Sequence, residues 1–203
     1  MLIMNAADVP PRRPAPRFWN VPNSLTMSRL GLGAVVVALI SSGWYLGALA
    51  VFGVAAITDA LDGYFARLLN QTSALGRQLD PLVDKLLVAA VLVYLVALPV
   101  SETGLYAWMV AVIVVRELLI QGIRSLIEGK GQAFGAKMAG KLKTTFQCLS
   151  IAAILLCLSV KPGNAWLLTR DVLTWLAVGL TIYSGFGYVV AAYPRLSEDA
   201  SSS

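Results

Sequence analysis

Four aspartates, Asp59, Asp62, Asp80 and Asp84, stand close together in a chain of 203 residues that carries only eleven acidic side chains. The first two are three positions apart and the last two four apart, so each pair shares one face where the chain is helical. Ligand sets made only of oxygen favour hard divalent cations such as Mg²⁺ or Mn²⁺. Two such ions sharing carboxylates can clamp a diphosphate and stabilise an in-line displacement at phosphorus. Between the pairs, Gly63 and Ala66 leave a helix face bare enough for a planar base or a diphosphate to approach the backbone. Arg67, beside them, offers a bidentate phosphate donor. Local roles explain less. An Asp59–Arg67 pair, or Asp80 as an N-cap ahead of Pro81, accounts for one or two of these carboxylates but not for four. The chain has no histidine, which removes the commonest general base and the commonest zinc ligand. Any catalysis therefore has to use carboxylates, lysines or hydroxyls.

The elements that must position these groups are membrane helices. Apolar residues make up 58% of the chain and charged ones 13%, with a mean hydropathy of +0.73; soluble domains carry about 45–50% and about 25%. The apolar residues lie in blocks of the roughly 20 residues that span a bilayer. An all-α, polytopic membrane fold with six transmembrane helices is expected, at about 24–42, 44–69, 80–99, 104–127, 138–160 and 168–192. The helices form one catalytic domain, 20–193. Ahead of it, 1–19 is a disordered segment rich in proline and arginine that ends at the interfacial Phe18 and Trp19, and 194–203 is a disordered tail. The first apolar block begins only near Leu25 and five more follow, so no secretory signal is expected.

The net charge is +5. On this layout fourteen of the sixteen Lys and Arg residues fall on the side of the N-terminus, and only Lys161 and Arg170 fall on the other. That asymmetry puts both termini, and the turn between helices 2 and 3, in the cytoplasm. The basic balance is thus topological and suits anionic lipid heads; no nucleic-acid partner is expected. The first aspartate pair closes helix 2 and the second opens helix 3, so a short cytoplasmic turn brings all four to one membrane edge. Cys148 and Cys157 are nine positions apart in one helix and point to opposite sides of it, so they cannot pair.

Taken whole, the run Asp59-x2-Asp62-Gly63-x2-Ala66-Arg67-x8-Gly76-x3-Asp80-x3-Asp84 resembles the signature of the CDP-alcohol phosphatidyltransferase family at every fixed position. The resemblance implies a six-helix fold, a homodimer and two divalent cations, with Asp59 and Asp80 bridging both, Asp62 on one, and Asp84 on the second and acting as base. It further implies that Gly63, Ala66, Arg67, Ser73 and Gly76 hold the CDP part of the donor. Three more segments are similar to the bacterial phosphatidylglycerophosphate synthase branch. Pro22-Asn23-Ser-Leu-Thr26-Met-Ser-Arg29 opens helix 1, where Asn23 and Thr26 would meet the nucleotide; the proline that often follows that arginine is replaced here by Leu30-Gly31-Leu32-Gly33. Arg116-Glu117 with Arg124, and Gly140-Lys141-Leu-Lys143-Thr144-Thr145-Phe-Gln147, fit the branch's runs in helices 4 and 5. Arg116, Arg124, Lys141 and Lys143 would then receive the acceptor's phosphate. The expectation is phosphatidyl transfer from CDP-diacylglycerol to sn-glycerol 3-phosphate in the bacterial cytoplasmic membrane, releasing CMP. A sister enzyme making cardiolipin, phosphatidylinositol phosphate or phosphatidylserine shares the motif. More distant alternatives are a divalent-cation transporter and an aspartate-rich prenyltransferase.

Overall fold

The computed structural model describes residues 21–69, 74–129, 138–160 and 163–200. Within those stretches the side chains of 21–27, 29, 59–69, 74–84, 128–129, 138–139, 141, 193 and 195–200 lie outside the description. All the regular structure among the described residues is helical: α1 (Val21–Ser41), α2 (Tyr45–Leu69), α3 (Ala74–Val96), the single turn α4 (Val100–Thr103), α5 (Ala107–Gly129), α6 (Met138–Val160) and α7 (Asn164–Ala200).

The six long helices run alternately up and down. One core cluster joins Val36 and Ile40 near the end of α1, Ala48 and Phe52 near the start of α2, Val91 and Leu95 near the end of α3, Met109 and Ile113 early in α5, and Ile151 and Leu155 in the second half of α6. Only antiparallel neighbours bring those particular ends together. The opposite end of the bundle holds a smaller cluster, Ile120 and Ile127 of α5 against Tyr188 and Ala192 of α7. The α1–α2 turn and the α6–α7 link lie at the end with the large core. The N-terminus of α1, the C-terminus of α2, the N-terminus of α3 and the C-terminus of α7 lie at the other.

Tight turns make the hairpins. Gly43 adopts φ 76° between α1 and α2, a left-handed conformation that costs glycine nothing. After α4, Gly104 does the same at φ 66°, its N–H closing on the Val100 carbonyl. Arg170 of α7 is buried there, donating to the Glu102 carbonyl and to Asp171 at 2.8 Å. Along the α6–α7 contact, hydroxyls and amides bond across the helices: Ser150 with Thr174 at 2.8 Å, and Gln147 donating to Thr181 at 3.0 Å. Such side-chain bonds are the glue of helices that have no water to exclude.

The outside of the bundle is apolar. Leu126, Val160, Leu168 and Phe186 are exposed, as are Trp44, Trp108 and Trp166 at the large-core end, the pattern of an aromatic belt at a membrane interface. Among the described residues two stretches are long and apolar enough to cross a membrane, Leu142–Val160 and Asn164–Ala192; Leu30–Ser41, Tyr45–Thr58 and Lys85–Val96 are shorter apolar runs.

Several boundaries differ from expectation. α3 begins at Ala74 rather than near 80, so Asp80 is an interior residue and not an N-cap, and Pro81 sits inside the helix. The expected link at 100–103 is a helical turn. α7 starts at Asn164 and runs through Pro194 to Ala200, so the segment expected to be a disordered tail from 194 is helical almost to its end. Proline already has a helical φ, and Pro194 passes into further helix instead of stopping it. The expected segment 1–19 lies outside the described residues. Gly33 faces Leu87, 3.6 Å from a would-be Cβ, and Gly185 faces Arg116, whereas Gly31, Gly179 and Gly187 have nothing within 4 Å. Cys148 and Cys157 are both free thiols.

Candidate active site

The α2–α3 hairpin sets the level of the four aspartates. Asp59 lies ten residues before Leu69, the last of α2, and Asp84 ten residues after Ala74, the first of α3; at 1.5 Å per residue each is about 15 Å along its helix from the connection. Asp62 and Asp80 lie seven and six residues from the same ends, about 10 Å. In an antiparallel pair joined by four residues these depths match. The sequence had placed the aspartates at the helix ends; they stand about two to three turns inside. Gly63, Ala66 and Arg67 continue α2 toward the connection, Gly76 is in the first turn of α3, and Asn23 and Thr26 are in the first two turns of α1. Ser73 lies outside the described residues, as do the side chains of the aspartates, Arg67 and Lys141.

A donor set of four carboxylates at matched depth on two helices that both pack against α1 has the all-oxygen chemistry that suits hard divalent cations. Among the residues with described side chains no group of three or more His, Cys, Asp or Glu gathers, so the α2–α3 aspartates remain the candidate metal ligands.

Deeper in the bundle, at the same end, a charged network crosses four helices. Its centre is Glu117 of α5, 7% exposed. Lys143 of α6, also buried, donates to Glu117 Oε1. Arg116 Nη1 lies 3.3 Å from the same oxygen, and Lys85 Nζ of α3 is 3.8 Å from Oε2. Lys85 also donates to Gln121 Oε1 at 2.8 Å. From α7, Ser184 Oγ accepts from Arg116 Nη2 at 2.9 Å, and the Tyr188 ring lies 5.5 Å below the guanidinium carbon. Three cations thus converge on one carboxylate. Ionisable groups are costly inside a membrane span and mark functional sites there.

Of the four cations expected to receive a phosphate, the structure brings Arg116 and Lys143 together through Glu117. Arg124 lies two turns further along α5, and Lys141 is in the first turn of α6. Sequence reasoning missed Lys85 as a member of this group, although it directly follows Asp84, and missed Ser184 and Tyr188 altogether. A Lys beside a candidate catalytic Asp was the available signal for the first. For α7, hydropathy alone was legible.

The sequence profile described as CDP-alcohol phosphatidyltransferase matches residues 19–183, a span that contains every expected site residue from Asn23 to Lys143. The chain belongs to the CDP-alcohol phosphatidyltransferase family. Within this family of membrane-bound lipid-synthesising enzymes, which use divalent cations, the chain is 35% identical to the CDP-diacylglycerol–glycerol-3-phosphate 3-phosphatidyltransferase of Bacillus subtilis (strain 168), over 84% of this chain and 94% of that protein. It is 34% identical to the protein of the same name from Pseudomonas fluorescens, over 89% of this chain and 93% of that one. With the like-named protein of Rickettsia typhi it shares 33% identity over 85% of this chain and 96% of that one. The matched span includes the aspartate run of α2 and α3. The family match stops at residue 183, one position short of Ser184 in the α7 part of the network.

Proposed function

We propose that this chain transfers the phosphatidyl group of CDP-diacylglycerol to sn-glycerol 3-phosphate, yielding phosphatidylglycerophosphate and CMP. The observation that carries the acceptor is the cluster of Arg116, Lys143 and the half-buried Lys85 around the buried Glu117, on the same side of the bundle as the aspartates. A phosphorylated acceptor needs such a cationic pocket, and serine or another uncharged alcohol does not. Relatives at 33–35% identity over most of the chain carry that activity in their names.

Asp59, Asp62, Asp80 and Asp84 would hold two divalent cations, Mg²⁺ or Mn²⁺. When bound, these neutralise the donor diphosphate and hold the attacking and leaving oxygens in line. Asp84 takes the proton from the acceptor's hydroxyl. The freed oxygen attacks the β-phosphorus, the lipid-bearing one, and the bond to the CMP oxygen breaks. Arg67 balances the charge that builds on the departing CMP, while Asn23, Thr26, Gly63, Ala66, Ser73 and Gly76 seat the cytidine diphosphate. Arg116 and Lys143, with Arg124 and Lys141 at the mouth, fix the acceptor's phosphate. Positioning and electrostatics supply most of the rate in such transfers. The enzyme works as a homodimer in the bacterial cytoplasmic membrane, its six helices spanning the bilayer and its site facing the cytoplasm.

The test is to give purified enzyme radiolabelled CDP-diacylglycerol with sn-glycerol 3-phosphate, serine, inositol phosphate or phosphatidylglycerol in separate reactions. CMP release dependent on glycerol 3-phosphate alone is expected. Release with another acceptor instead overturns the reading. Stripping divalent metal with a chelator should stop release, and Mg²⁺ or Mn²⁺ should restore it; undiminished release from the stripped enzyme would remove the metal assignment.

A further inference from the structure

The last helix lies beyond the motifs that define the site, and the family match ends at residue 183. Yet the turn that follows makes three separate contacts with one of the candidate phosphate-binding cations. Ser184 Oγ accepts a hydrogen bond from Arg116 Nη2 at 2.9 Å. Tyr188, one turn on and buried, places its ring under the guanidinium at 5.5 Å. Between them Gly185 presents bare backbone to the aliphatic stem of Arg116: a Cβ there would lie 3.0 Å from Cγ and 3.4 Å from Nε. Glu117 holds Nη1 from the other side. Arg116 Nε is buried and has no hydrogen-bond partner among the described residues.

We infer that α7 is part of the acceptor site, with Ser184, Gly185 and Tyr188 acting as positioning residues that aim the Arg116 guanidinium at the acceptor's phosphate. The inference rests on the reading of the reaction given above. An arginine has four side-chain torsions and swings freely unless its neighbours fix it. Here one nitrogen is tied by a hydroxyl, one by a carboxylate, and the plane is supported by a ring. That leaves Nε, with its proton, as a donor still to be used. A buried donor left unsatisfied is costly, and a phosphate oxygen is the acceptor that this chemistry would bring. A side chain at 185 would crowd the Arg116 stem at Cγ.

The experiment measures steady-state kinetics of purified full-length enzyme with both substrates varied. Ser184→Ala and Tyr188→Leu should each raise KM for glycerol 3-phosphate about three- to tenfold and leave KM for CDP-diacylglycerol within twofold. Ser184→Thr, which keeps the hydroxyl, and Tyr188→Phe, which keeps the ring, should stay within twofold of the parent for both. In an Arg116→Ala background, adding Ser184→Ala should change the acceptor KM by less than twofold. Equal effects on both KM values, failure of the conservative variants to rescue, or additive effects on top of Arg116→Ala overturn the positioning role. Because the conservative pair retains the packing of α7 on α5, loss of folding in Tyr188→Leu alone leaves the Ser184 arm and the Arg116 background to decide. If the unsubstituted enzyme shows no CMP release on glycerol 3-phosphate, the proposed reaction falls and this inference with it. If that enzyme is active and the variants are silent, only the role of α7 falls.

Discussion

At the level of single residues, catalysis and placement fall to different groups, and substitutions separate them. Asp84 is the proposed base. Asparagine is nearly isosteric but cannot take a proton, so Asp84→Asn should abolish turnover while largely sparing donor binding, read by retention of radiolabelled CDP-diacylglycerol. Full turnover in that variant would end the assignment. Glu117 has another job. It is the one described carboxylate facing Arg116, Lys143 and Lys85, and removing one partner of a buried ion pair costs about 3–5 kcal/mol because the remaining charge is left uncompensated. Glu117→Gln should therefore lower unfolding stability by an amount of that order, measured by denaturant titration in detergent micelles, and Glu117→Gln/Lys143→Met should recover much of the loss. What made the aspartates legible was their scarcity and spacing in a chain with few acids. What hid Ser184 and Tyr188 was the reverse: hydroxyls and tyrosines in an apolar helix ordinarily bond their own backbone or pack, as Thr181 does with the Ala177 carbonyl at 2.6 Å. Only the fold, which lays α7 across α5, gives these two a charged partner.

At the level of elements, α1, α2 and α6 lie close to their sequence-based limits because glycine and charge mark their ends: Ser41-Ser42-Gly43 closes the first, and Met138 follows a run of polar and small residues. The start of α3 was misread because Asp80-Pro81 has the form of an N-cap and first helical position, while Ala74 to Leu79 holds enough helix formers to carry the helix a turn and a half further back. That shift moves the second aspartate pair from the helix end to its interior and gives it the same depth as the first. The turn α4 was invisible, since four residues show no period. Its closing residue yields a sharp expectation. Gly104 is left-handed at φ 66°, and a Cβ there would strike Asp171 Oδ1 and crowd the Arg170 guanidinium. Strained backbone of this kind costs about 1–3 kcal/mol, before any displacement of Arg170. Gly104→Ala should lower the thermal midpoint in detergent yet leave kcat at saturating substrate near the parent value, because the turn lies at the end of the bundle away from the aspartates. Loss of kcat at unchanged stability would contradict that separation.

At the level of the whole molecule, one end of the bundle is dry and tightly packed and the other is charged, and this polarity ties the chemistry to one side of a membrane. The large core, the exposed Trp44, Trp108 and Trp166 and both short links, at Gly43 and Gly163, share one end. The aspartate level, the Glu117 network, the N-terminus of α1 and the C-terminus of α7 share the other. An even number of long helices brings the N-terminus of α1 and the C-terminus of α7 to one end, and on the topology proposed above this end, toward which Lys and Arg are biased, would face the cytoplasm, where a water-soluble phosphorylated acceptor and released CMP would have free access. The geometry can be read in intact cells. In a Cys148→Ala/Cys157→Ala background, Ser42→Cys and Gly163→Cys should react with a membrane-impermeant maleimide added outside, since both positions are exposed in links at the far end. Ser203→Cys should react only after the cells are permeabilised. The reverse pattern would turn the bundle over and put the aspartates on the wrong face for a cytoplasmic acceptor. Labelling of Ser42→Cys together with Ser203→Cys from outside would instead require an odd number of crossings, which six long antiparallel helices cannot supply.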